Sequence, residues 1–245
     1  MSSSPRTAIV TGSARRVGAE IARSLVGDGW TVIAHVRRDE DPVCDGAVKA
    51  VADLSDPGCA NVIFEAAAGL PPVRLLINNA ARFAHDDLEG FKPAELDAHM
   101  AVNVRAPVLL TERLVAQHKG TDDALIVNIL DSKLSAPNSD FLSYTISKYA
   151  LAAVTELTAR ALAPKSIRVN GIAPALMLQS EGQSAENYDS MHRANPLGRG
   201  VEPEDLIKAI DYLLAAPAVT GQILTIDSGQ RFWSPSRDVQ FMERK

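Results

Sequence analysis

The chain has 245 residues, 46% of them hydrophobic and 22% charged, with a formal net charge of -5. That length holds one substantial α/β core, and the composition is ordinary for a soluble globular protein. No concentrated Lys/Arg run, no stretch near the ~18 apolar residues of a membrane span and no signal-peptide core is visible, which argues against nucleic acid, a membrane and secretion.

Short apolar runs alternate with helical patterns along the chain. A strand is expected at 7–11, followed by a helix at 17–27, then strands at 31–36 and 47–52. A helix at 57–69 leads to a strand at 73–77, and a long helical stretch runs over 93–118. A strand at 124–130 precedes a helix at 144–162, and strands at 166–172 and 222–227 complete the series. Seven strands separated by helices of this length predict a parallel sheet covered on both faces. The expected architecture is a single-domain, doubly wound, Rossmann-like α/β fold over residues 1–245. Residues 176–201 carry no clear apolar period. They are expected to form a loop over the carboxyl edge of the sheet, where ligands bind in this class of fold.

Thr11-Gly12-Ser13-Ala14-Arg15-Arg16-Val17-Gly18 lies between the first strand and the first helix. Gly12 suits the tight turn and Gly18 the close packing of helix on sheet. The helix N-terminus offers N–H groups to a pyrophosphate. The second strand ends at Val36-Arg37-Arg38, where an NAD-selective site usually has an acidic side chain. Arg37 and Arg38, with Arg15 in the loop, suit a 2′-phosphate and hence NADPH. Asp39-Glu40-Asp41 directly after could instead neutralise that turn. Tyr144 and Lys148 are four apart on the helix and point from one face. The ammonium is expected to lower the tyrosine pKa and ready it for proton transfer. Cys44 and Cys59 lack metal-ligand spacing and read as reduced thiols of a cytoplasmic protein, with no metal expected.

Over nearly its full length the sequence resembles the short-chain dehydrogenase/reductase family. Thr11-Gly12 with Gly18 looks like that family's cofactor loop, and Asp53-Leu54 its adenine-contacting pair. Asn78-Asn79-Ala80 is similar to the motif ending its fourth strand, and Asn103, Tyr144 and Lys148 to its catalytic residues. Pro174 matches the proline after its sixth strand. The resemblance implies that Asn103 holds a water linking Lys148 to solvent, and that the protein is a homotetramer.

Three departures narrow the resemblance. The middle glycine of the loop is Arg16, the serine thirteen residues before the tyrosine is Asp131, and Phe83 follows the asparagine motif. All three are similar to the pteridine reductases and the bacterial dihydromonapterin/dihydrofolate reductases of this fold. That branch implies a pterin stacked on Phe83, Arg16 near pterin and cofactor, and Asp131 partnering Tyr144 in proton delivery. NADPH-dependent reduction of a dihydropteridine to its tetrahydro form is the expected reaction. A short-chain reductase acting on a ketone or aldehyde, a 3-ketoacyl, sugar or xenobiotic carbonyl, is the alternative; separately, Asp131 could be a helix or turn cap, with Ser132 in the serine role. A non-catalytic NADPH-binding regulator is the second alternative.

Overall fold

The computed structural model describes residues 4–120, 122–179, 182–233 and 236–242. Seven parallel strands form one sheet in the order β3-β2-β1-β4-β5-β6-β7. They are β1 (Thr7–Val10), β2 (Thr31–Val36), β3 (Val48–Val51), β4 (Val73–Asn78), β5 (Ala124–Ile129), β6 (Ile167–Pro174) and β7 (Ile223–Ile226). The crossing from β1 to β4 reverses the direction of strand order and opens a crevice at the carboxyl ends there. The fold class and all seven strands agree with the sequence reading.

Because neighbouring strand residues face opposite ways, Ile9, Ile33, Leu76 and Ile126 fall on one side of the sheet, and Ala8, Val10, Leu75 and Ile77 on the other. The first side packs on α2 (Cys59–Glu65) through Ile63 and Phe64, and on α4 (Ala106–Gln117) through Leu110 and Leu114. The second packs on α1 (Arg16–Gly27) through Ile21 and Leu25, and on α7 (Pro203–Ala215) through Leu206, Ile210 and Leu213. Each such Leu or Ile contributes about 1.5–3 kcal/mol by leaving water.

Three elements depart from expectation. The long helix over 93–118 is interrupted: α3 (Pro93–Met100) passes through a π-helical turn at Ala101–Arg105 before α4. Within 176–201, expected to be irregular, lies α6 (Ala185–His192), begun by Ser184, whose side chain accepts from Asn187 N–H. α7 was not anticipated at all. It starts with Pro203 in its first turn and a reciprocal cap between Glu202 and Asp205. Its apolar stripe then covers the β6–β7 end of the sheet, whose strands it contacts.

Candidate active site

The turn after β1 is built for close backbone approach. Gly12 has φ +71°, a conformation that favours glycine. A Cβ on Gly18 would lie 2.1 Å from the Gly12 carbonyl oxygen and 2.6 Å from Asn79 Nδ2. No side chain caps α1, so its first N–H groups are not claimed by the usual Ser/Thr/Asp cap. Thr11 Oγ1 accepts from the N–H groups of Asn79 and Ala80, both at 3.0 Å, and Asn79 Nδ2 donates to Thr11 O at 2.9 Å. These bonds lock the end of β4 to the turn. His35 supplies a further tie that the sequence did not suggest. Its Nε2 faces Ala52 O at 3.0 Å, and its Nδ1 accepts from Gly12 N–H at 3.1 Å. Burial lowers the His35 pKa and favours the neutral ring that this acceptor role requires.

The arginines expected at the ribose end lie at the protein surface. Arg37 pairs with Asp53 at 3.2 Å, and Arg38 with Asp41 at 2.7 Å and Glu40 at 3.4 Å. Part of the neutralisation weighed from sequence is therefore present. The Arg37 and Arg38 side chains are 75% and 64% exposed, so these pairs are weak and exchangeable. Leu54 is buried in the core, and Asp53 beside it is partly exposed. Arg16 adopts φ 56° and reaches across to the backbone of the 176–201 segment, donating to Gln179 O at 3.0 Å and Leu178 O at 3.4 Å. It thus bridges the phosphate loop and the segment expected to cover substrate.

Tyr144 lies in the first turn of α5 (Leu142–Leu162) and is buried. Its hydroxyl donates to Asp131 Oδ2 at 2.8 Å, while Asp131 Oδ1 accepts from Lys133 N–H at 2.8 Å. Asp131 is therefore both a turn cap and the partner of the tyrosine; Ser132 lines the same pocket. Lys148 Nζ donates to Ile129 O at 2.7 Å and lies 5.5 Å from the centre of the Tyr144 ring. The expected lowering of the tyrosine pKa is not found. Burial and then the Asp131 carboxylate hold the phenol well above its ordinary value of 10. Burial raises the Asp131 pKa against the hydrogen bonds from Lys133 and Tyr144, and it lowers Lys148 to about 8. The pair favours a protonated tyrosine, which is the form that gives a proton away.

Asn103, in the π-helical turn, is buried and directs its side chain to positioning. Its Oδ1 accepts from Arg82 N–H at 2.7 Å, and its Nδ2 donates to Arg82 O and Ser147 Oγ at 3.0 and 2.9 Å. It joins the loop bearing Phe83 to the helix bearing Tyr144. Two further ties were invisible in sequence: His99 Nε2 accepts from Ala84 N–H at 3.3 Å, and Asp86 Oδ1 accepts from Ser143 N–H at 2.9 Å. On this pinned loop Phe83 stacks against Phe141 at 4.3 Å and meets Tyr144 edge-on at 4.7 Å, with 46% of it exposed. Pro174 ends β6 at the same edge of the sheet.

A glycine turn at the start of α1, a buried Tyr–Lys pair and an asparagine bonded to the helix bearing that pair define a nicotinamide-dependent oxidoreductase. A family model described as enoyl-(acyl carrier protein) reductase matches residues 12–231, and the chain belongs to the short-chain dehydrogenase/reductase family. It is 32% identical to L-xylulose reductase of Bos taurus over 238 residues, covering 91% of this chain and 96% of that one. It is 29% identical to dihydromonapterin reductase of Shigella boydii over 235 residues, covering 92% and 97%. In structure it is similar to FolM alternative dihydrofolate reductase 1 from Brucella canis complexed with NADP. That match has a TM-score of 0.87 and 33% identity, and it covers 96% of this chain and 97% of that one.

Proposed function

We propose that the enzyme reduces a dihydropteridine to its tetrahydro form with NADPH. The observation that carries this reading is the Tyr144 hydroxyl bonded to the Asp131 carboxylate, at 2.8 Å, beside the Phe83 ring. Likeness to dihydromonapterin reductase and to the Brucella protein complexed with NADP supports it.

The residues present fit the cofactor. Gly18 lets α1 pack directly on the Gly12 turn, where any Cβ would lie 2.1 Å from Gly12 O, and the N-terminus of α1 carries no side-chain cap that a pyrophosphate would have to displace. Arg15, Arg37 and Arg38 suit a 2′-phosphate, and we assign Asp53, Asn79, Ala80, Lys148 and Pro174 to the rest of the cofactor. Bound NADPH supplies hydride to the carbon of a C=N bond. The chain's own residues must then bring a proton to the nitrogen. Tyr144 holds that proton, because its surroundings keep the phenol neutral. Lys148 offers positive charge to the phenolate left behind, and Asp131, with its raised pKa, can refill the tyrosine. A serine orients a carbonyl but is a poor proton reservoir. The exposed part of Phe83, beyond the face it stacks on Phe141, would give a flat bicyclic ring an aromatic contact worth roughly 0.5–1.5 kcal/mol beyond burial.

A second reading rests on the 32% identity to L-xylulose reductase: reduction of a sugar ketone at the same residues. NADPH and NADH oxidation should be measured with dihydromonapterin, dihydrobiopterin, dihydrofolate and L-xylulose. At least one pterin with NADPH is expected to exceed L-xylulose in kcat/KM by about tenfold or more, about 1.4 kcal/mol at the transition state. Asp131→Ser should impair the pterin reaction and spare ketone reduction. Inert pterins beside rapid L-xylulose turnover would sink the pteridine reading, and equal efficiency with NADH would remove the role of Arg37 and Arg38.

We place the protein in the cytoplasm, where its free Cys44 and Cys59 thiols would stay reduced. Among the described residues no helix is long and apolar enough to cross a membrane. The exposed apolar side chains Val108 on α4, and Ile146, Tyr149 and Leu157 on α5, fit burial between subunits of a tetramer. A monomeric mass by light scattering would contradict that assembly.

A further inference from the structure

The pocket beside Asp131 has a wall to which the catalytic chemistry assigns no role. Residues 236–242 fold back onto it and are tied down at several points. Arg237 Nε donates to both carboxylate oxygens of Asp140, at 3.1 and 2.8 Å, and Asp238 N–H donates to Asp140 Oδ2 at 2.7 Å. Lys133 Nζ pairs with Asp238 Oδ2 at 2.7 Å and donates to Asn138 Oδ1 at 2.8 Å. Phe241 stacks over Phe141 at 5.9 Å, which in turn stacks on Phe83. Asn187 Nδ2, on α6, donates to Met242 O. An aromatic row therefore runs beside a polar row of Asp131, Lys133, Asn138 and Asp238, with Gln230 and Arg231 also lining the pocket.

The polar row has a definite chemical preference. Its charges are already matched: Lys133 by Asp238, and Arg231 by Asp227 at 2.7 Å. Asp131 adds a further carboxyl group. Among the described residues that line the pocket, an anionic substituent would find no unpaired cation and would face Asp131 and Asp238. The Lys133 ammonium is already turned to Asp238, Asn138 and Asp140 O, which leaves spare acceptor lone pairs on the Asp131 and Asp238 carboxylates, and a chain of hydroxyls can donate to these in turn. The side chains of Lys133 and Asp238 are only 10% and 12% exposed, so water competes poorly for these bonds.

We propose that the C-terminal segment, acting through Asp238 and its partner Lys133, selects substrates whose reducible group carries a neutral polyhydroxylated chain, and disfavours those with a carboxylated tail. The inference rests on the reductase reading above and names the substituent that this site accepts. A pterin bearing a hydroxylated propyl chain and an open-chain ketose both satisfy it. The test compares kcat/KM for dihydromonapterin, 6-methyldihydropterin and dihydrofolate, and for L-xylulose against 2-pentanone, in the unmodified enzyme, in Asp238→Asn and in the Asp238→Leu/Lys133→Met pair. The unmodified enzyme should prefer the hydroxylated member of each active pair by roughly tenfold or more, and dihydrofolate should rank below dihydromonapterin. Both variants should cut that preference, chiefly through KM, with the neutral pair serving if the lone Lys133 charge disturbs folding.

A preference near one in the unmodified enzyme overturns the proposal even if no variant folds. So does a preference that folded variants leave unchanged, or dihydrofolate as the best substrate. If pterins are inert and L-xylulose reacts, the pteridine reading fails, and the ketose pair still decides the hydroxyl subsite. An enzyme that turns over none of these compounds overturns both.

Discussion

Tyr144→Phe is expected to lower kcat by roughly 10²–10⁴-fold, the range a positioned general acid contributes. The substitution removes one oxygen from a side chain that is already buried, so packing is kept. What is lost is the hydroxyl that donates to Asp131 at 2.8 Å, from which the proposed mechanism takes its proton. Cofactor affinity, measured by fluorescence titration, should change little, because the phosphate turn lies elsewhere on the sheet edge. The pH profile carries the second half of the argument. Burial brings Lys148 down to about 8, so in the free enzyme its ammonium is lost as pH rises through that value. The charge that would stabilise the departing phenolate goes with it, and kcat/KM should fall by about tenfold per pH unit above it. The phenol itself is held well above 10 and does not titrate in this window. A Tyr144→Phe enzyme keeping most of its activity would take the tyrosine out of the chemistry.

The parts of this site that could be read from sequence are those fixed by local spacing. Tyr144 and Lys148 share a helix, and Gly12 to Gly18 span one turn, so each group's geometry follows from its own segment. The strands were legible for a similar reason: β5 is buried at every position and reads as an apolar run broken only by Asn128. α7 could have been found, since Leu206, Ile210 and Leu213 follow the helical period behind a Pro-Glu-Asp start. The Ser- and Gly-rich stretch before it obscured that pattern. Contacts between distant segments left no local trace. Arg237 and Asp140 are 97 residues apart, and His35 reaches Gly12 only because β2 lies beside β1. The direction of the tyrosine pKa was misread because spacing reveals the Lys148 partner but not the burial and the Asp131 carboxylate that outweigh it.

Gly18→Ala should disable cofactor binding without touching any group that moves a proton. The added Cβ would stand 2.1 Å from Gly12 O and 2.9 Å from Gly12 C, and both are backbone atoms of the phosphate turn. A flexible side chain could step aside; this backbone cannot, because Gly12 N–H is bonded to His35 and Asn79 Nδ2 is bonded to Thr11 O. Either α1 moves off the sheet or the turn opens, at a cost of about 1–3 kcal/mol. For a chain of this size each kcal/mol lowers Tm by roughly 2–4 °C. The distorted turn should also weaken NADPH binding by more than about tenfold, the factor that 1.4 kcal/mol represents. Gly27→Ala is the control: it lies near the end of the same helix with no atom within 4 Å of its Cβ position. That change should be neutral or stabilising by up to about 1 kcal/mol. Calorimetry on the two variants separates the claims. If Gly18→Ala binds NADPH as tightly as the parent, the turn has slack that its geometry denies, and its role as the cofactor cradle falls.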